Sequence, residues 1–172
     1  MKTRDVILAG LFIALVFLAT MFLRIPSPDI TGAGQVHLGT MVVFVISVVF
    51  GPKMGAVASL GMVLFNLLGG LALWAPINLI ARPIMALIFG WVAHLKGAGG
   101  RSLPLNILAA VLGGIWLVPA MYVGQVIMFG VDWMTPMVFI PNNSMQIAFT
   151  IIGGLPLIAI IQPQWDKIKN RG

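Results

Sequence analysis

Val6–Leu23 reads VILAGLFIALVFLATMFL, an unbroken apolar run with Lys2, Arg4 and Asp5 just before it and Arg24 just after it. A helix rises about 1.5 Å per residue, so a run of this length covers most of the roughly 30 Å hydrocarbon core of a bilayer. A basic start followed by an apolar stretch also resembles a secretory leader. No small-x-small cleavage site leading into a soluble domain follows it, however. The run is read as a retained first transmembrane helix, from about Asp5 to Arg24.

The rest of the chain has the same character. Of the 172 residues, 60% are hydrophobic and only 8% are charged. A soluble domain of this size cannot hide so much apolar surface, whereas lipid solvates the outer faces of helices directly. The formal net charge of +6 does not read as a nucleic-acid footprint, because the Lys and Arg residues stand singly at the ends of apolar runs. With no cysteine, a disulfide framework and a thiolate metal site are excluded.

Five more spans follow from the placement of Gly and Pro. Residues 25–34 form a Pro- and Gly-dense loop. The second span starts near His37 and ends at Phe50-Gly51-Pro52, and the third runs from Pro52 to Leu68, before Gly69-Gly70. The fourth opens at Ala75-Pro76, with Pro in the favoured first turn, and reaches Leu95. The fifth runs from Pro104 to about Phe129 after the turn Gly97–Gly100. The sixth runs from Asn142 to about Ile161, with Gln162-Pro163 as its stop. The expectation is an all-α, six-helix transmembrane bundle forming one domain over 1–172.

Charge orients it. Six spans place Lys2, Arg4, Lys53, Lys96, Arg101, Lys167, Lys169 and Arg171 on one side, and Asp29, Asp132 and Arg24 on the other. The positive-inside rule makes the first side, with both termini, cytoplasmic. No internal repeat of the secondary-transporter kind is found.

Arg82 is the most informative residue. It lies about two turns into the fourth span, where an arginine costs at least ~2.5–3.5 kcal/mol on insertion scales. Either it snorkels outward or pairs with a helix-end carbonyl, or it faces a pocket open to the outer side. No acidic partner within the spans is evident, and that leaves room for a ligand or water. Asn78 lies one turn earlier on the same face. Gln35, His37, Asn66, Asn142, Asn143 and Gln146 fall on the same outer half. Each alone reads as a cap or an interhelical tie, and Asn142 or Asn143 is a natural N-cap. Their convergence on one side favours a binding pocket.

Trp74 and Trp133, in outer loops, are either belt anchors or stacking surfaces for a flat ring. Trp116 reads as packing, and Trp165 and His94 read as interfacial on the cytoplasmic side. No second ligand has metal-binding spacing with His37. Gly10 and Ala14, widened by Ala9, form a small-residue stripe on the first helix, as Gly51, Gly55 and Ser59 do on the third. Such stripes serve packing within a bundle or docking of a partner helix. No nucleophile–base pair, phosphate loop or carboxylate dyad is present, so neither an enzyme nor a cofactor is expected. The four acids, Asp5, Asp29, Asp132 and Asp166, lie near span ends, which argues against a proton-coupled carrier.

His37-Leu38-Gly39, then Phe50-Gly51-Pro52-Lys53-Met54-Gly55-Ala56, then Ala75-Pro76 with Arg82 and Gly90 resemble an S component. This is the substrate-binding subunit of an energy-coupling factor (ECF) vitamin transporter. The resemblance covers the whole chain and is nearest to the hydroxymethylpyrimidine or pyridoxine-type group. It departs from that group at Thr40 and Asn66, where Asp is common, at Arg82, where Lys is common, and at Gly10, where Ala is usual.

The resemblance implies a prokaryotic-type multi-pass protein of the cell membrane that binds a vitamin precursor from outside. The first loop and the loop after the third span would act as lids. Its partners would be a transmembrane coupling subunit, docked on the first-helix stripe, and two ATPases. Other readings are an S component for another vitamin such as pantothenate, a small secondary carrier, and a structural subunit.

Overall fold

The computed structural model describes residues 3–26 and 35–169, excluding the side chains at positions 25, 26, 35 and 169. Helix α1 spans Thr3–Phe22. A short hairpin follows, with β1 Arg24–Pro26 antiparallel to β2 Gln35–His37 and Arg24 opposite His37. Then come α2 Gly39–Phe50, α3 Pro52–Ala58, α4 Leu60–Leu68, α5 Ala75–Ala93, α6 Leu103–Phe129 and α7 Ile140–Lys169. Among the described residues, four stretches are long and apolar enough to cross a membrane: Thr3–Phe22, Ala72–Ala93, Leu103–Phe129 and Thr135–Ile168. Gly39–Phe50 and Pro52–Leu68 are shorter apolar helices. The bundle is thus a multi-pass helical one.

Three expectations need correction. The all-α reading misses the hairpin, whose strands are too short to leave an alternating pattern. The third span keeps its expected bounds, Pro52–Leu68, but tightens at Ser59, where Met62 N–H bonds to Ser59 O at 3.0 Å and the Ser59 hydroxyl donates to Ala56 O at 2.7 Å. Such local bonds tighten a turn and bend the helix. The last helix does not stop at Gln162-Pro163 but continues to Lys169. A proline removes one ladder bond and bends a long membrane helix without necessarily ending it. That helix also begins at Ile140, which puts Asn142 and Asn143 inside its first turn rather than at its cap.

The core lies where α2, α5 and α6 meet. Phe44 and Phe89, both fully buried, pack edge to face with centroids 5.0 Å apart. That placement requires Gly113 on α6, since a Cβ there would strike the Phe89 ring. Gly61 plays the same part between α4 and α1, where a Cβ would meet the backbone at Ile13 and Phe17. Gly51, at φ +97, makes the turn from α2 to α3 ahead of Pro52; only glycine adopts that backbone freely. Gly55 packs on Ser47 of α2, so the small-residue stripe of the third span serves the bundle itself.

Large apolar side chains such as Leu11, Leu15, Ile115, Ile127, Ile152 and Ile160 point outward, as a lipid-facing surface requires. One end of the bundle carries the start of α1, the α2–α3 and α5–α6 turns and the end of α7. Arg101 pairs with Asp166 there at 3.0 Å, and Arg4 lies 5.3 Å from the Trp165 ring centroid. His94 joins α5 to α2 through a 2.8 Å hydrogen bond with Val48 O. Trp116 donates to Ala81 O at 3.0 Å, consistent with packing between α6 and α5.

Candidate functional site

At the opposite end, α5 delivers two side chains to one face. Asn78 and Arg82 are four residues apart, and Arg82 Nε donates to Asn78 Oδ1 at 2.9 Å. Arg82 Nη1 donates to Thr40 Oγ1 on α2 at 2.9 Å and to Gln146 Oε1 on α7 at 3.1 Å. Thr40 Oγ1 in turn donates to Gln146 Oε1 at 2.9 Å. Asn78 Nδ2 donates back to Trp74 O at 3.2 Å. One guanidinium therefore ties three helices together, and all four members of the network are buried. Its partners are a hydroxyl and two amides, and among the described residues no carboxylate touches it. Nη2 makes no hydrogen bond to the described residues.

The network forms part of the wall of a cavity of about 150 Å³. From α5 and the turn before it come Leu71, Trp74, Asn78 and Arg82, and α4 supplies Phe65 and Asn66. β2 contributes His37, α6 Met121, and the approach to α7 Phe139. α7 itself adds Asn142, Asn143 and Gln146. The wall pairs aromatic faces with convergent amides, which is how small-molecule pockets are commonly built. His37 Nδ1, Asn66 Nδ2 and Asn142 Oδ1 are buried there without hydrogen-bond partners. Buried polar groups are rarely left so.

Aromatic contacts hold the rim. The Trp74 ring meets Phe129 at 5.1 Å and Phe139 at 5.7 Å, both edge to face. The Arg24 guanidinium lies 4.6 Å from the Phe65 centroid, which sets the hairpin beside α4. Burial, then the charges of Arg82 and Arg24, pushes His37 from its ordinary 6.5 down to about 3. Its imidazole is neutral at physiological pH.

Eight of the ten expected pocket residues therefore line one cavity: His37, Asn66, Trp74, Asn78, Arg82, Asn142, Asn143 and Gln146. The Gln35 side chain lies outside the described residues. Trp133 is not brought in; it is exposed, with its ring beside Tyr122 and its carbonyl accepting from the Tyr122 hydroxyl. Its loop is instead organised by Asp132, which accepts from Met134 N, Thr135 N and the Thr135 hydroxyl. Sequence reasoning missed Thr40 as a partner of Arg82, and Phe65, Leu71, Met121 and Phe139 as wall residues. Thr40 follows His37 by three residues at the start of α2, a spacing that could have marked it. On α1, Gly10 and Ala14 face outward together, and a Cβ at Gly10 would meet nothing within 4 Å. Ala9 does not widen that face, because it turns inward and is buried.

Residues 1–163 match the family model described as ECF-type riboflavin transporter, S component. A protein of Pyrococcus woesei, described as an uncharacterized protein in gap 3′ region, is 33% identical over 104 residues. The match covers 60% of this chain and 66% of that relative, just under two thirds of its length.

Proposed function

The chain belongs to the family of ECF-type riboflavin transporter S components, and from that premise we propose that it is the substrate-specificity subunit of a vitamin importer. The cavity beside Arg82 is its binding site, opening to the outer side of a prokaryotic-type cell membrane. Both termini are cytoplasmic and the bundle crosses six times, with α3 and α4 together making one interrupted crossing. A transmembrane coupling subunit docks on the Gly10 and Ala14 face of α1, where small side chains permit close backbone approach. Two ATPases supply the energy. The subunit reorients within the bilayer to deliver its load.

A buried arginine held by neutral acceptors at the wall of a cavity is the observation that carries this reading. A purely structural bundle would gain nothing from burying an unpaired charge. Cavity size bears on the substrate. An engineered apolar cavity of about 150 Å³ holds a benzene, so the present volume suits a single ring. The substrate is accordingly a hydroxymethylpyrimidine or pyridoxine-type vitamin precursor, with Trp74 and Phe139 flanking the ring and the amides meeting its edge. The family description favours a second reading, a flavin. Its three fused rings would require the β1–β2 hairpin or the 135–139 segment to open.

Purified protein extracted directly from its membrane, with the released small molecules identified by mass spectrometry, tests the assignment. A one-ring vitamin supports it, and a flavin moves it to the second reading. The chain reconstituted alone in liposomes should bind without energised uptake. Accumulation driven by a proton or sodium gradient would identify a secondary carrier instead.

A further inference from the structure

We infer that the ligand of this cavity is a compact organic anion, which brings a carboxylate or a ring oxyanion to Arg82. The inference rests on the cavity being the vitamin site and names the chemical class of its occupant. It follows from what surrounds the guanidinium. Asn78 Oδ1, Thr40 Oγ1 and Gln146 Oε1 accept its hydrogen bonds, yet none carries a formal charge. Dipoles satisfy donors but leave the net charge uncancelled in a low-dielectric site.

Among the described residues, no other charged group cancels it. Asp166 is paired with Arg101 at the other end of the bundle, and Asp5 opens α1 at that same end. Asp132 is exposed and occupied by its own loop, while Asp29 lies outside the described residues. His37, the other titratable group on the cavity wall, is neutral. Arg24, above the Phe65 ring, adds a cation at the rim. Nη2 makes no hydrogen bond to the described residues, so at least one charge-assisted donor remains for a ligand. An oxyanion fills that position and removes the net charge together. A neutral ring does only the first, and a cationic ring adds repulsion.

Matched pairs differing only in charge provide the test. Wild-type protein in nanodiscs is titrated calorimetrically with nicotinate and nicotinamide, 4-pyridoxate and pyridoxine, and pantothenate and panthenol. Hydroxymethylpyrimidine and riboflavin complete the panel. The expected result is at least tenfold tighter binding of the anion within any pair that binds. In Arg82→Gln that preference should shrink to within about threefold; the wild-type comparison stands even if this variant does not fold. Equal or tighter binding of the neutral member overturns the inference. So does tightest binding of hydroxymethylpyrimidine or riboflavin, although that result leaves the vitamin-binding reading intact. The ligand released from membrane-extracted protein decides the matter if no probe binds. One with an acidic group supports the inference and one without overturns it. Protein that is empty and binds nothing overturns both the inference and the binding reading.

Discussion

Replacing Arg82 by Met separates the two things an intramembrane arginine can be. The substitution removes donors to Asn78, Thr40 and Gln146. Thr40 still donates to Gln146, so Asn78 Oδ1 is the one acceptor left without its partner. A buried unpaired acceptor costs about 1–3 kcal/mol. Removing the charge from the span returns roughly 2.5–3.5 kcal/mol on insertion scales. The balance runs from about 0.5 kcal/mol destabilising to about 2.5 kcal/mol stabilising. Arg82→Met should therefore melt at or above the wild-type temperature in the absence of ligand. For a ligand that meets the guanidinium, the lost charge-assisted hydrogen bond is worth about 1.5–3 kcal/mol, or roughly ten- to 150-fold in affinity. Arg82→Lys keeps the charge without the planar fork and should fall between. The assay is a calorimetric titration with whichever vitamin is released from wild-type protein, alongside a thermal melt. If Arg82→Met binds that vitamin within about threefold of wild type, the arginine is a structural burden and the cavity assignment is wrong.

Gly10→Leu or Ala14→Leu should leave affinity unchanged and weaken co-purification with the coupling subunit, because both residues face outward on α1. Loss of affinity with assembly intact would make that face internal packing. Gly113→Val should destabilise by about 1–3 kcal/mol in a thermal melt, since its added carbons meet the Phe89 ring in a filled core. An unchanged melt would show that α5 and α6 pack more loosely than described. His37 has a folded pKa below its unfolded one, so the unfolded chain binds more protons from about pH 6.5 down to about 3. Stability should accordingly fall as pH falls through that window and level off above it. His37→Gln should reduce the slope, and a wild-type melt flat from pH 6.5 to 4 would contradict the burial of the imidazole.

The apolar helices were legible because apolar runs, Gly-Pro stops and solitary charges all point the same way. Arg82 and Asn78 were legible together because four residues on a helix define one face. The network's other half was not. Thr40 and Gln146 are 106 residues apart, and no local pattern connects them. The hairpin was hidden by strands of three residues each. The tightening at Ser59 depends on a hydroxyl bonding to its own helix, and Pro163 was read as a stop because the rule for helix ends ignores how long membrane helices absorb a proline. Trp133 was assigned from its neighbourhood in sequence; its ring instead settles on Tyr122. Phe139 and Met121 escaped because an apolar residue on a cavity wall looks like one facing lipid.

The 64 residues between Arg82 and Gln146 also set an order in time. Chains are synthesised at about 5–20 residues per second, so α5 precedes its α7 acceptor by roughly 3–13 s. During that interval the guanidinium has Thr40 and Asn78 but not Gln146, and the cavity lacks the wall built by Asn142 and Asn143. The binding site is thus completed only after the last helix has begun to form. A chain halted before Ile140 would hold a membrane-embedded arginine with an incomplete shell, a natural mark for quality-control proteolysis.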